Sequence, residues 1–262
     1  MPEPAPAVPV IAVANQKGGV GKTPTTANLA RAMADLGRRV LAIDLDPQAS
    51  LTIYFGADPR ALDTQGRTAD ALLLSDRPLA SLALPGNPSL LPASIRLASC
   101  EGDLLREWNG ASLLAQRLRP ALGAFDVALI DCSPSLGLLT VNALAAASHA
   151  LVPVKTDYLS LMGVSLLFET IEKIRARLNP DLAVLGVLPT MHDARNSHDR
   201  EALAELEGLL LGRCRLFPTI RRSTAFDQAS VAGVPGLGHP SLRRAVEGYR
   251  QLAEALLLEV GA

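Results

Sequence analysis

Lysine is nearly missing from this 262-residue chain. It occurs four times, at Lys17, Lys22, Lys155 and Lys173, beside twenty-one arginines, so it is scarce wherever it has no special task. Net charge is missing too: Lys+Arg 25 against Asp+Glu 26 leaves −1, which speaks against a globally basic nucleic-acid coat and is silent about local patches. The three cysteines, Cys100, Cys132 and Cys214, are far apart, with no C-x-x-C pair and no histidine at ligand spacing; this predicts a reducing, cytoplasmic chain without structural disulfides or zinc. Aromatics make up 3%, and the single Trp108 reads as packing and not as a stacking platform for bases. His149, His192, His198 and His239 show no catalytic arrangement. Met1–Pro9 is Pro/Ala-rich without a basic stretch, which argues against a signal or transit peptide and for a flexible tail over 1–8. The most apolar window, Leu136–Val154, carries Thr140, Asn142, Ser148 and His149 and has prolines at Pro134 and Pro153, so it reads as a buried helix followed by a central strand, with no membrane span expected.

What is present is ample core material, 48% hydrophobic residues, in a repeated alternation of short aliphatic runs and longer helical stretches. Strands are predicted at Val10–Ala14, Val40–Asp44, Leu90–Pro92, Val127–Asp131, Ala150–Val154, Val184–Pro189 and Leu216–Thr219. Helices are predicted at Lys22–Leu36, Ser112–Leu122, Leu136–Ala147, Leu159–Leu178, Asp199–Leu211 and Ser241–Leu258, with core spacing over Leu159–Phe168 that includes Met162. Loops fall near Gly56–Arg67, Leu84–Pro88 and Gly233–Pro240. The reading is one α/β domain over 9–262, a mostly parallel central sheet flanked by helices on both faces.

The decisive segment runs from Val10 to Thr23: a buried strand, a glycine-rich turn, then a helix. Gly18, Gly19 and Gly21 let consecutive backbone N–H groups reach phosphates, with Val20 between them; Lys22 supplies a cation to the β/γ oxygens and the Thr23 hydroxyl a magnesium ligand. The strict G-x-x-x-x-G-K-[ST] spacing fails at Gln16, and a second lysine, Lys17, opens the loop instead. Asp44 and Asp46 lie two apart at a strand's end, so their carboxylates share one side at the ligand-binding edge; one can order metal-bound water and the other polarise an attacking water. Asp131 closes a run of four aliphatics, an arrangement that holds magnesium through water.

The Lys17-Gly-Gly-x-Gly-Lys-Thr23 segment resembles the deviant Walker A motif of the ParA/MinD family of ATPases, a P-loop NTPase fold. The resemblance extends to Val40–Gln48, Val127–Pro134, Val152–Gly163 and Leu188–Arg195, and within the family it is nearest to the short Soj-type partition ATPases. It implies a slow Mg-dependent ATPase with ATP and Mg²⁺ as cofactors. Asp46 is then expected to position the nucleophilic water, Asp44 to be the magnesium-side partner beside Thr23 and Asp131, and Lys17 to reach the nucleotide of a second subunit in an ATP-bound homodimer. Phe217–Arg222, Pro218 among them, fall where the family rests the adenine. Thr190, Met191, Asp193 and Arg195 fall where it contacts nucleotide or partner. Pro24 departs from the usual Ser or Thr and removes one N–H and one hydroxyl facing the α-phosphate, so weaker nucleotide binding is expected.

Between Gly208 and Val246, Arg213, Arg215, Arg221, Arg222, Arg243 and Arg244 stand against one acid, Asp227, a local +5. A charge run is usually a solvated face. The resemblance implies instead nonspecific double-stranded DNA binding by the dimer, a nucleoid-associated location, and stimulation by a ParB-like centromere-binding protein in chromosome or plasmid partition. Ala225 stands where the family usually has a second arginine, and Arg221 is available to compensate. Alternatives of the same core are a MinD-like membrane or pole positioner, disfavoured by a C-terminal Tyr249–Ala262 with one Arg and two Glu; an iron–sulfur reductase using Cys100 and Cys132, which lack glycine-rich surroundings; and a tyrosine autokinase, for which Tyr54, Tyr158 and Tyr249 are too scattered.

Overall fold

The structure, a computed structural model, describes residues 8–236 and 246–262, apart from the side chains of Leu159, Leu161 and Met162. The tail expected over 1–8 lies outside the described residues except for Val8, as do Arg243 and Arg244. Six parallel strands, β1 (Val10–Val13), β2 (Val40–Leu45), β3 (Ser89–Leu91), β4 (Val127–Cys132), β5 (His149–Lys155) and β6 (Ala183–Thr190), form one sheet in the order β3-β2-β4-β1-β5-β6. Every residue of β1, β2 and β4 is buried, as unbroken Val/Ile/Leu/Ala runs require when helices cover both faces.

Successive side chains go to opposite faces. Along β4, Val127 and Leu129 join one apolar cluster while Ala128, Ile130 and Cys132 join the other. The first face is covered by α1 (Lys22–Asp35), α2 (Ser50–Tyr54), α11 (Ala225–Ala232) and α12 (Gly248–Val260). The second is covered by α4 (Ala69–Leu74), α5 (Leu79–Leu82), α6 (Leu97–Leu104), α7 (Leu113–Leu118), α8 (Leu138–Ala146), α9 (Tyr158–Arg177) and α10 (Ser197–Leu210). A short α3 (Pro59–Thr64) lies in the segment expected to be loop; Asp58 caps it by accepting the Arg60 N–H, and Pro59 occupies its first position.

Several expectations change. Leu216–Thr219 is not a strand: it runs beside β6 through an isolated bridge from Val187 to Leu216, because Pro218 has no N–H to donate; the Arg215 carbonyl accepts the Val187 N–H at 2.8 Å, an approach so close that a Cβ on Gly186 would stand 2.5 Å from that oxygen. The helix expected over Ser112–Leu122 stops at Leu118, ahead of Pro120. Of the helix expected over Ser241–Leu258, residues 241–245 lie outside the described residues, and the described part holds a helix over Gly248–Val260. Trp108 is not packing; it is 98% exposed beyond α6. Of the core spacing expected over Leu159–Phe168, Val164 and Leu167 are buried.

The C-terminal helix packs across α1. It buries Tyr249, Leu252, Ala253, Leu256 and Leu257, and the Tyr249 hydroxyl sits 3.0 Å from Thr25 Oγ1. At about 2 kcal/mol per large apolar side chain, stripping this helix from the core would cost on the order of 8 kcal/mol. Its apolar face is therefore committed to the protein interior. Among the described residues, no helix is long and apolar enough to cross a membrane.

Candidate functional site

The turn between β1 and α1 opens at the centre of the sheet's carboxyl edge, where parallel α/β sheets hold their ligands. Gly21, at φ 83, provides the left-handed residue from which α1 departs. The turn is tied to three neighbours: Asn15 donates to Pro153 O at 2.7 Å and accepts the Lys17 N–H at 2.9 Å, Gln16 donates to Gly163 O at 3.3 Å, and Thr190 donates to Val20 O at 2.7 Å. Ends of β5 and β6 and the start of α9 thus hold its shape before any ligand arrives.

Within the turn the two lysines face different surroundings. Lys22 is 7% exposed, and its ammonium donates to the Lys17 carbonyl at 3.1 Å. Burial lowers its pKa against the pull of Asp131, Cys132 and Asp46, so it is a desolvated cation with a neutral acceptor, a state that favours an incoming anion. Lys17 reaches the other way. Its ammonium contacts Asp157 Oδ1 at 2.8 Å and Ser160 Oγ at 2.9 Å, and Lys155 takes the second Asp157 oxygen at 2.9 Å. Burial alone would raise the Asp157 pKa, but hydrogen bonds from Lys17, Lys155 and Ser160 outweigh it and hold the carboxyl well below the usual range.

Thr23 donates its hydroxyl to Asp131 Oδ2 at 2.6 Å, and Thr26 approaches Oδ1 at 3.4 Å. Asp131 pairs in register with Asp44 on the neighbouring strand, and both are fully buried. Burial lifts Asp44 to about 6 in spite of its hydrogen bonds from Thr52 and Asp46; burial and then the neighbouring Asp44 charge lift Asp131 well above an ordinary carboxylate. Two buried acids backing a threonine hydroxyl fit a divalent cation that shares its shell with phosphate oxygens and water. Among the described residues no group of three or more His, Cys, Asp or Glu side chains is placed to hold a metal ion.

Asp44 is also a structural anchor. Its Oδ1 accepts the Asp46 N–H at 3.1 Å, and its Oδ2 accepts both the N–H and hydroxyl of Thr52 at 2.8 Å. Asp46 is 8% exposed, and its Oδ1 accepts the Gln48 N–H at 2.9 Å. Pro24 lies in the first turn of α1, its carbonyl accepting from Asn28 at 2.8 Å. Met191 follows β6, and Pro218 stands on the segment that His192 N–H and Ile220 N–H bonds fasten to it, so both fall on one ledge. Among the expected DNA arginines, exposed Arg221 and Arg222 join Arg195 around a cavity of about 450 Å³; Arg213 lines a different groove between α9 and α10. Arg215 is held by Glu259 at 2.9 Å and lies over the Phe217 ring. Cys132 is a buried small side chain, its thiol pKa raised by burial.

Asp157, Ser160 and Thr52 did not emerge from the sequence as site residues. Asp157 does carry a local sign, an acid at the N-cap of a long helix accepting the Ser160 N–H, but its role follows from meeting Lys17, 140 positions away.

Fold and site together define a nucleotide-binding protein built on a phosphate loop, with two buried aspartates beside it at the sheet's carboxyl edge. A family described as AAA domain matches residues 8–184. The chromosome partitioning protein ParA of Myxococcus xanthus is 36% identical, covering 95% of this chain and 87% of that protein; the sporulation initiation inhibitor protein Soj of Bacillus subtilis is 35% identical, covering 94% and 96%. A crystal structure described as cobyrinic acid a,c-diamide synthase from Mycobacterium smegmatis, with a bound ATP analog and magnesium, superposes with a TM-score of 0.80 at 37% identity over 95% of this chain and 94% of that one. The chain belongs to the ParA/MinD family of deviant Walker A ATPases, with ParA and Soj proteins among its relatives.

Proposed function

We propose that this protein is a partition ATPase whose ATP-bound homodimer holds double-stranded DNA without regard to sequence and releases it on hydrolysis. The observation that carries the reading is the division between the loop lysines: Lys22 buried in the turn, Lys17 on an acid at its rim. Lys22 exchanges the Lys17 carbonyl for the β/γ-phosphates of ATP, the Gly18–Thr23 backbone receives the remaining oxygens, and the Met191–Pro218 ledge supports the adenine. Magnesium, held by Thr23 with Asp131 and Asp44 behind it, would neutralise phosphate charge. Two protomers then close face to face, each Lys17 leaving Asp157 for the partner's nucleotide, and Asp46 orients the attacking water.

Dimerisation doubles an arginine surface too sparse to act alone. Arg221 and Arg222, with Arg195 beside them, suit phosphate contacts, and Arg213, Arg215, Arg243 and Arg244 extend the basic C-terminal region. The name of one relative, chromosome partitioning protein ParA, supports a partition role; to this the reading adds a chromosome or plasmid as cargo, action on the nucleoid, and a ParB-like protein that accelerates a slow turnover. A MinD-like membrane role is disfavoured by the burial of α12. Asp46→Ala tests the cycle: it should keep ATP-dependent dimerisation and DNA binding while losing hydrolysis, and a variant that stays monomeric under ATP contradicts the assigned role.

A further inference from the structure

The hydrolytic acid sits on a loop fastened at both ends to one buried carboxylate. Asp44 Oδ1 takes the Asp46 N–H, and Asp44 Oδ2 takes Thr52, so the six-residue stretch from Asp46 to Leu51 is strung between two bonds to the same side chain. Inside the loop Asp46 O accepts the Ala49 N–H at 2.8 Å, and Ala49 adopts φ 54, ψ 33, a left-handed conformation unusual for a residue with a Cβ. From there α2 starts, the Ile53 N–H returning to Ala49 O at 3.1 Å. The fastening continues past the loop: the Thr52 hydroxyl accepts the Ala93 N–H at 2.9 Å, just beyond β3. One fully buried hydroxyl therefore joins the ends of β2 and β3 to the first turn of α2.

We propose that Thr52 is a positioning residue for ATP hydrolysis, its hydroxyl fixing through Asp44 the place of the Asp46 carboxylate. This rests on the reading of the chain as an ATPase with Asp46 at the water. Thr52 lies in α2, whereas the phosphate loop closes on itself, Asp131, Pro153, Gly163 and Thr190. Loss of the hydroxyl leaves those contacts and the two backbone N–H bonds to Asp44 intact, but removes one of the bonds that hold the Asp44 carboxylate and its tie to Ala93, and so loosens the anchor of the loop that carries Asp46. Its effect falls mainly on turnover, because the phosphate loop's own contacts are untouched. A displacement of an ångström at a water-orienting group is enough to cost on the order of a hundredfold in rate.

Thr52→Val preserves the side chain's shape and removes the hydroxyl; Thr52→Ser preserves the hydroxyl and removes a methyl. Steady-state ATPase kinetics and ATP dissociation constants are measured on both, beside the unsubstituted full chain. The valine variant should lose about ten- to hundredfold in kcat with KM and the dissociation constant within about twofold, and the serine variant should stay within about threefold of the unsubstituted rate. An undiminished kcat in Thr52→Val overturns the positioning role, as does an equal loss in Thr52→Ser or a loss confined to ATP affinity. Should the valine variant fail to fold, Thr52→Ala removes the same hydroxyl without pressing a methyl on the Ala93 N–H and the Asp44 carboxylate, and the same outcomes apply. Absence of hydrolysis by the unsubstituted protein overturns the ATPase reading and the role with it; hydrolysis that Thr52→Val leaves untouched overturns the role alone.

Discussion

Asp157→Asn should make the ATP-bound dimer tighter. In each protomer Lys17 is held by Asp157 at 2.8 Å, both side chains 30% exposed, and a lysine that crosses to the partner's phosphate must first break that pair. A half-exposed pair is worth about 1 kcal/mol after screening. The sandwich breaks two of them, so removing the carboxylate charge should favour dimerisation by about 2 kcal/mol, roughly thirtyfold in the dissociation constant. Asparagine still accepts the Ser160 N–H, so the start of α9 keeps its cap and the substitution isolates the charge. Sedimentation equilibrium with Mg·ATP, on Asp46→Ala and on Asp46→Ala combined with Asp157→Asn, measures the difference without depletion of ATP. An unchanged or weakened dimer would refute the idea that the intrachain pair competes with association.

Two smaller perturbations follow from the backbone. Ala49→Gly relieves a left-handed alanine that is 3% exposed and should raise unfolding stability by up to about 1 kcal/mol in a urea melt, whereas a loss would mean the methyl group's packing outweighs its strain. Pro24→Thr restores an N–H and a hydroxyl in the first turn of α1 and should tighten ATP binding by about 1 kcal/mol, roughly fivefold by calorimetry; an equal or weaker affinity would show that neither group reaches the phosphates.

The parts of the site legible in the sequence are those whose partners are covalently near or whose residue types leave little choice. A glycine-rich turn after an aliphatic strand places Lys22 and Thr23 by itself, and a lone acid closing Val127–Ile130 places Asp131 at the same sheet edge. Asp157 and Thr52 were not legible because their roles arise from juxtaposition: β5 beside β1 delivers Asp157 to Lys17, and β2 beside β3 lets one hydroxyl bridge Asp44 and Ala93. Helices of four to six residues such as α2, α4 and α5 are too short to show a helical period. Leu216–Thr219 has the aliphatic character of a strand, but Pro218 leaves it bound to β6 only in part. Trp108 shows the limit of composition: a single large aromatic is expected inside, and this one is in solvent.

The central claim is that ATP converts a nearly neutral chain into a DNA-binding dimer. Binding of the full-length protein to duplexes of unrelated sequence, with ATP, with ADP and without nucleotide across a salt series, tests it most directly. The account predicts binding with ATP alone, indifferent to sequence and falling with a log–log salt slope of about −0.9 for each phosphate neutralised. Binding that ignores the nucleotide, that ignores salt, or that selects one sequence would contradict it.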